Sequence, residues 1–527
     1  MPRVNVHNVG IGGIVQDIPD HLLPPEVWTA GQNVRFQDNK VLKVSGEQTV
    51  FDPPTVAPYW AIGVSTVADY HVLYAGLAAA YSVDTAGTHT VRTRASGAYT
   101  GAAADLWNGG VLGGILVITN NVDDPQFWAT AGSGLLADLT NWPASTECRI
   151  IRPFKNFLVA FDITKSGTNL PHRIKWSHPA DPGSVPSSWD ETDPTKDTGE
   201  VDLPDSQSGL LQDARGLRDL MVMYKEDSTW AMQHIGGTFI MRETPIFSET
   251  GILAQRCVAA MPNAEKHFVM TGDDLTTHNG QQMESILDKR WKRWISNNMD
   301  TDNFAASYCV PNQIADEMWF CFPESGSTTP NLALIWNYKD NTLGIRDLRD
   351  ARFIGAMVVN EAVAAATWSG VTGAWTAPSV DVWGSRTFSP NRLGLLQCDS
   401  ANTQLLQLDS TNQAIGVSFN ASIERTGLSI IGQDRFGNPR SDPSVRKLCK
   451  RIWPKASGDA FSVQVGKQEL IGGPVTWEPA QTFTPGVDEY LDFCSNGRLI
   501  GVRFSSTGDV SWNLEGYDLD IEVLGEH

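Results

Sequence analysis

Two kinds of residue grouping in this 527-residue chain have the composition for chemistry. The first is the run Lys289-Arg290-Trp291-Lys292-Arg293-Trp294, in which cations alternate with indoles. Aromatic faces stack on bases while cations meet phosphates, so a run of this kind suits a nucleic-acid strand. Across residues 281–299, however, Met283, Ile286, Leu287, Trp291, Trp294, Ile295 and Met299 recur every three or four positions, which predicts one amphipathic helix. Both indoles then fall on its apolar face. Lys289, Arg290, Lys292 and Arg293 remain as a partly solvated cationic edge, a candidate contact for DNA or a partner.

The second grouping is carboxylate pairs: Glu226-Asp227, Asp273-Asp274 and Asp316-Glu317. General acid and base work needs two carboxyls at fixed separation in a cleft. Neighbours on a strand point to opposite faces, so turn and edge roles are the better reading. Asp300-Thr301-Asp302-Asn303 offers hard oxygens for calcium but lacks the glycine and closing glutamate of an EF-hand loop. Gly10-x-Gly12-Gly13 has no buried strand before it, and Pro19 stops any useful helix after it, so a dinucleotide loop is excluded. Asp227-Ser-Thr-Trp230 and Gly508-Asp-Val-Ser-Trp512 are hairpin turns closed by a core tryptophan. These residues yield no catalytic set, no cofactor site and no metal site.

The elements that would position any site are β-strands. Apolar runs at 70–74, 115–119, 157–161, 220–224, 268–271, 318–322 and 393–398 return about seven times with little helix between them. Their starts lie roughly 40 to 75 residues apart, close to the spacing of four-stranded propeller blades with insertions. The fold class is therefore all-β: a β-propeller body, a small C-terminal β-sandwich or jelly-roll-like domain, and one short amphipathic helix. The expected division is an N-terminal extended arm and hairpin over 1–60, a propeller over 61–410, a basic loop over 411–455 and the sandwich over 456–527.

Charge is uneven along the chain. Residues 181–213 hold nine acidic residues against one lysine and read as a long exposed insertion, whereas 425–455 holds eight basic residues against two acidic. Arg446, Lys447, Lys450 and Arg451 in the basic segment are candidate partner contacts, complementary to the acidic insertion of a neighbour. The formal charge of −20 argues against broad gripping of nucleic acid, since phosphate binding needs a basic surface. An acidic wall would instead let a polyanion slide past. The opening residues have no uninterrupted apolar segment of signal type, and the seven cysteines are scattered without a CxxC pair, which fits synthesis in a cytosol with reduced thiols.

Several long stretches carry a resemblance: residues 12–47 (GGIVQDIPDHLLPPEVWTAGQNVRFQDNKVLKVSGE), 173–190 (RIKWSHPADPGSVPSSWD), 215–237 (RGLRDLMVMYKEDSTWAMQHIGG), 317–348 and 497–523. Together they resemble the tail nozzle, or tail tubular, proteins of short-tailed bacteriophages of podovirus type, nearly end to end. The resemblance implies a virion structural protein and not an enzyme. It further implies a homohexameric ring below the portal and the head-to-tail adaptor ring. Tail fibres or spikes would sit on its outer wall, and genomic double-stranded DNA would pass through without specific binding, with the host envelope met only indirectly. It implies no catalytic residue and no cofactor. Two other readings stay open on the residues alone: another virion tail component such as a fibre-attachment hub, and a carbohydrate-binding or carbohydrate-degrading propeller.

Overall fold

The structure is a computed structural model that describes residues 3–65, 70–204, 209–237, 239–359, 393–433 and 439–525. Among the described residues, seven antiparallel four-stranded sheets follow one another along the chain. Six are simple meanders, the seventh takes its outermost strand from near the N-terminus, and each is one propeller blade. Their innermost strands are Trp60–Ser65, Asn108–Leu112, Thr146–Phe154, Leu211–Leu217, Val258–Ala260, Tyr308–Asn312 and Ala351–Val358. The inner strand of blade 7 packs on that of blade 1, so the ring is closed.

The second strand of every blade is buried almost along its whole length, as in Ile115–Thr119, Met318 to Phe322 within Glu317–Phe322, and Tyr74 within Tyr70–Ala75. Blades cover both faces of these strands, which is why they are continuously apolar rather than alternating. Separate hydrophobic clusters fill several gaps between neighbouring blades, with Trp60, Leu73 and Trp107 between blades 1 and 2, and Val72, Tyr74, Leu396 and Cys398 between blades 7 and 1, whereas the gaps on either side of blade 5 share one cluster with the sandwich. Burial of these side chains at about 25 cal/mol per Å² of apolar surface is the main force holding the ring shut.

Ring closure also uses a distant strand. Gly46–Thr49 pairs with Gln404–Thr411 as the outermost strand of blade 7, in the register Leu406 to Thr49 and Leu408 to Glu47. The two ends of the blade array are thus tied by hydrogen bonds rather than by packing alone.

The terminal domain is a sandwich of two sheets built from both chain ends. In one sheet Arg3–His7, Val34–Gln37 and Lys40–Lys43 join Arg446–Gly458, Leu491–Gly497 and Trp512–Gly525. In the other, Ala30–Gln32 joins Ala421–Leu428, Phe461–Gln468 and Leu499–Ser506. Trp28, Phe461, Phe504, Trp512 and Tyr517 meet in the core between them. The expected separate arm over 1–60 is therefore corrected. Its strands are shared between the sandwich and blade 7.

Three further expectations are corrected. The segment 411–455 is not a long loop, because residues 421–428 and 446–458 are sandwich strands; residues 434–438, and 205–208 of the acidic segment, lie outside the described residues. The helix expected over 281–299 is only Lys292–Asn298, preceded by the strand Met283–Ser285. Blade 5 needs an outermost strand, and Lys289 in a left-handed turn (φ 59°) separates that strand from the helix. Ile286, Leu287, Trp291 and Ile295 still reach the core from the turn and the helix. The acidic segment is an irregular excursion only over residues 177–198, between the third and fourth strands of blade 3; its remainder includes Gly199–Asp202 and the start of Leu211–Leu217.

A buried ionic cluster welds sandwich to propeller. Arg35 of the sandwich hairpin lies 3.2 Å from Glu317 of blade 6 and 2.7 Å from Asp409 of blade 7. Arg346 of blade 6 lies 2.6 Å from the same Asp409 and 3.5 Å from Glu47. The Trp319 indole donates to Glu317 at 2.8 Å. Burial raises the Glu317 carboxyl, against the pull of Arg35, whereas Asp409, gripped by two guanidiniums, is held below the usual carboxylate range despite burial.

Candidate functional site

The seven inner strands surround a bore along the propeller axis. A cavity of about 600 Å³ there is lined by Arg152, Asp213, Arg215, Arg256, Phe353 and Met357 among others. A vestibule of about 630 Å³, lined by Arg149, Glu226, Gln255, Arg352 and Trp107, adjoins it. Arg256 lines both spaces.

Arg256 precedes the inner strand of blade 5 in a left-handed conformation, φ 71°. Its main-chain N–H donates to Asp213 of blade 4 at 3.0 Å. Its guanidinium donates to the Trp107 carbonyl at the entrance to blade 2 and sits 5.1 Å over the Phe353 ring of blade 7. One side chain thus bridges blades on different sides of the ring. Enclosure lowers its pKa to about 10, with Asp213 opposing that shift and Arg152 adding to it.

Asp213 is committed on both oxygens. It accepts from Arg152 at 2.6 Å and from the Arg256 main chain. Arg152 also donates to Asn108 at 3.1 Å and to the Ala214 carbonyl at 3.0 Å. Arg215 lines the same cavity, and no carboxylate lies within ion-pair distance of it among the described residues. Its pKa is lowered, first by enclosure and then by the charge of Arg152.

None of the cations singled out in the sequence lines these spaces. Lys292 pairs with Asp273 at 2.7 Å, and Arg290 donates to Asn341 at 2.9 Å. Lys289 and Arg293 are exposed at the outer end of blade 5, where the Arg293 N–H donates to Asp17. Arg446 pairs with Glu469 at 2.7 Å, Lys450 with Glu522, and Arg451 with Asp492 at 2.6 Å. Lys447 is fully buried and donates to the carbonyls of Asp442 and Val445, both at 2.7 Å, and to that of Arg498. Burial lowers its pKa to about 8. The four cations therefore have partners within their own chain, and Lys447 is inaccessible to any other.

The carboxylates and glycines also have structural partners. Glu317 belongs to the ionic weld, Asp316 pairs with Lys339, and Glu226 accepts from Gln212 at 2.8 Å. Asp300 caps its own turn through the N–H groups of Asp302, Asn303 and Gly326. Gly13 has φ 60°, and a Cβ there would stand 2.8 Å from the Leu343 nitrogen. The glycine pattern serves close packing of the N-terminal segment.

No family model matches the chain, and no curated protein matches it. Among solved structures it is similar to PorZ, described as an essential bacterial surface component of the type-IX secretion system of Porphyromonas gingivalis. The likeness has TM-score 0.34 and 9% identity, and covers 85% of this chain and 46% of that one. The chain spans less than half the length of that protein.

The bore arginines escaped the sequence reading. A signal for them exists: Arg152 and Arg215 each stand in the strand just before an apolar second-strand run, at 157–161 and 220–224, and that strand is the one facing the axis.

Proposed function

We propose that this chain is a structural subunit of a bacteriophage tail nozzle, six copies forming a ring below the portal and the head-to-tail adaptor. It carries no catalytic role in this reading. It is made in the host cytoplasm and works in the virion tail, where fibres or spikes attach to its outer wall. Support comes from the resemblance of residues 12–47, 173–190, 215–237, 317–348 and 497–523 to such nozzles.

The observation that carries the reading is the rigid union of propeller and sandwich through Arg35, Glu317, Arg346 and Asp409. A conduit wall must keep its shape while a stiff polyanion moves past it, and a stapled two-part wedge does so. The bore of one propeller is not that conduit. A duplex whose major groove alone is about 12 Å wide does not pass where one arginine side chain crosses. The genome would run along the axis between copies, past a surface whose net charge of −20 per chain repels it. Free protein is then expected to bind duplex DNA only in the non-specific range, about 10⁻⁴ M or weaker at physiological salt. Electron microscopy of the protein mixed with its adaptor tests the reading through the symmetry of the particles formed.

A further inference from the structure

We propose that the propeller bore is a binding site for a small oxyanion, a phosphate or carboxylate group, held by Arg215 and Arg256, with Arg152 adding its charge. The inference is independent of the nozzle reading.

Three guanidiniums from blades 3, 4 and 5 line one cavity of about 600 Å³, and Asp213 is its one acidic lining residue among the described residues. Both oxygens of Asp213 are already taken by Arg152 and by the main chain of Arg256. The lining therefore holds an excess of two positive charges in a chain whose overall charge is −20. Like charges held close together repel, so an anion between them is favoured.

Donors are also left over. The Arg256 Nε is buried and donates to nothing, while one of its two outer nitrogens is spent on the Trp107 carbonyl. Arg215 is exposed to the bore, with its whole planar fork available for two parallel bonds to an oxyanion. Much of the remaining lining, including Trp60, Met221, Val258 and Phe353, is apolar, with Ser65, Tyr70 and Asn108 adding uncharged polar groups. A few convergent polar groups in an apolar space of this size is the usual make-up of a small-molecule site. A space of about 600 Å³ accommodates a free phosphate or the carboxylate of a single sugar acid.

The test is calorimetric titration of the full-length protein with inorganic phosphate and, separately, with glucuronate, at ionic strength held constant with sodium chloride. Saturable binding of one anion per chain is expected for at least one probe. Phosphate alone would assign a phosphoryl ligand, and glucuronate alone a carboxylate. Arg215→Gln should weaken binding about tenfold or more, as expected for losing a charge-assisted bidentate pair. Arg215→Lys, which keeps the charge without the fork, should lie between, and Arg242→Gln on the outer strand of blade 4 should change nothing. Absence of saturable binding with both probes overturns the proposal. So does equal binding by Arg215→Gln and Arg242→Gln, which would place the anion elsewhere.

Discussion

The Arg35 guanidinium, on a hairpin formed near the N-terminus, lies 3.2 Å from the Glu317 carboxylate in the second strand of blade 6, and both are buried or nearly so. This pair belongs to the cluster that joins two parts of the fold made from distant sequence, in which Arg35 also meets Asp409 at 2.7 Å. Removing one partner leaves the other charge uncompensated, which costs about 3–5 kcal/mol. Arg35→Leu should therefore lower unfolding free energy by that amount, and Arg35→Leu with Glu317→Leu should recover a substantial part. Urea unfolding of the single and double variants is the check, and additive losses would contradict direct coupling.

A second buried set predicts acid sensitivity. Tyr224 of blade 4 contacts His267 Nδ1 at 2.6 Å and His278 Nε2 at 2.7 Å, both in blade 5. His267 Nε2 donates to the Gly216 carbonyl, and His278 Nδ1 accepts from the Gly280 N–H. These partners fix the tautomers: the tyrosine donates to His267 and accepts from His278, with both rings neutral. Burial lowers their pKa values to about 3 and about 4. The unfolded chain takes up protons near pH 6.5 while the folded chain does not, so stability is full above that pH and is lost as pH falls toward the folded values. The loss should reach on the order of 2 kcal/mol per histidine by about pH 5. Thermal melts from pH 7.5 to pH 5 should show the fall, and His267→Gln should flatten it. A slope unchanged by that substitution would assign the acid sensitivity elsewhere.

Thiol reactivity offers a direct readout of burial. Cys494 is exposed, Cys309 is partly so, and the other five are buried. Burial pushes the Cys148 thiol up to about 12, which removes its nucleophilic form at neutral pH. A native protein should thus show fast labelling at Cys494, lost in Cys494→Ser, with all seven thiols reacting only after denaturation. Rapid native labelling of Cys148 or Cys398 would contradict the blade packing.

Deletion of residues 1–49 tests the shared architecture. It removes the outermost strand of blade 7 and four strands of the sandwich. Loss of soluble, cooperatively unfolding protein is expected by circular dichroism. An unchanged melting temperature would mean that this segment is an appended arm after all.

The seven apolar runs were legible because second strands are covered on both faces, which leaves a continuous hydrophobic signature. Their neighbours are quieter. Inner strands such as Leu211–Leu217 turn Asp213 and Arg215 toward the axis, and outer strands such as Ala137–Asp138 are short and exposed. Gly46–Thr49 carries no large apolar residue, so nothing local marks it as the closing strand of a blade begun at Ala351. The strand Arg446–Gly458 hid its alternation behind cations on the solvent side and a buried lysine at Lys447. The helix was overextended because Ile286, Leu287, Trp291 and Ile295 reach one core from a turn as well as from a helix. The bore site was invisible for a different reason: Arg152, Arg215 and Arg256 lie far apart in sequence, and only ring closure brings them to one axis.

The measurement that bears most directly on the nozzle reading is electron microscopy of the purified protein with its head-to-tail adaptor ring. The account predicts sixfold particles with an open central axis, each subunit showing a propeller whose own bore is closed near Arg256. Monomers that never join the adaptor, or a ring of another symmetry, would contradict it.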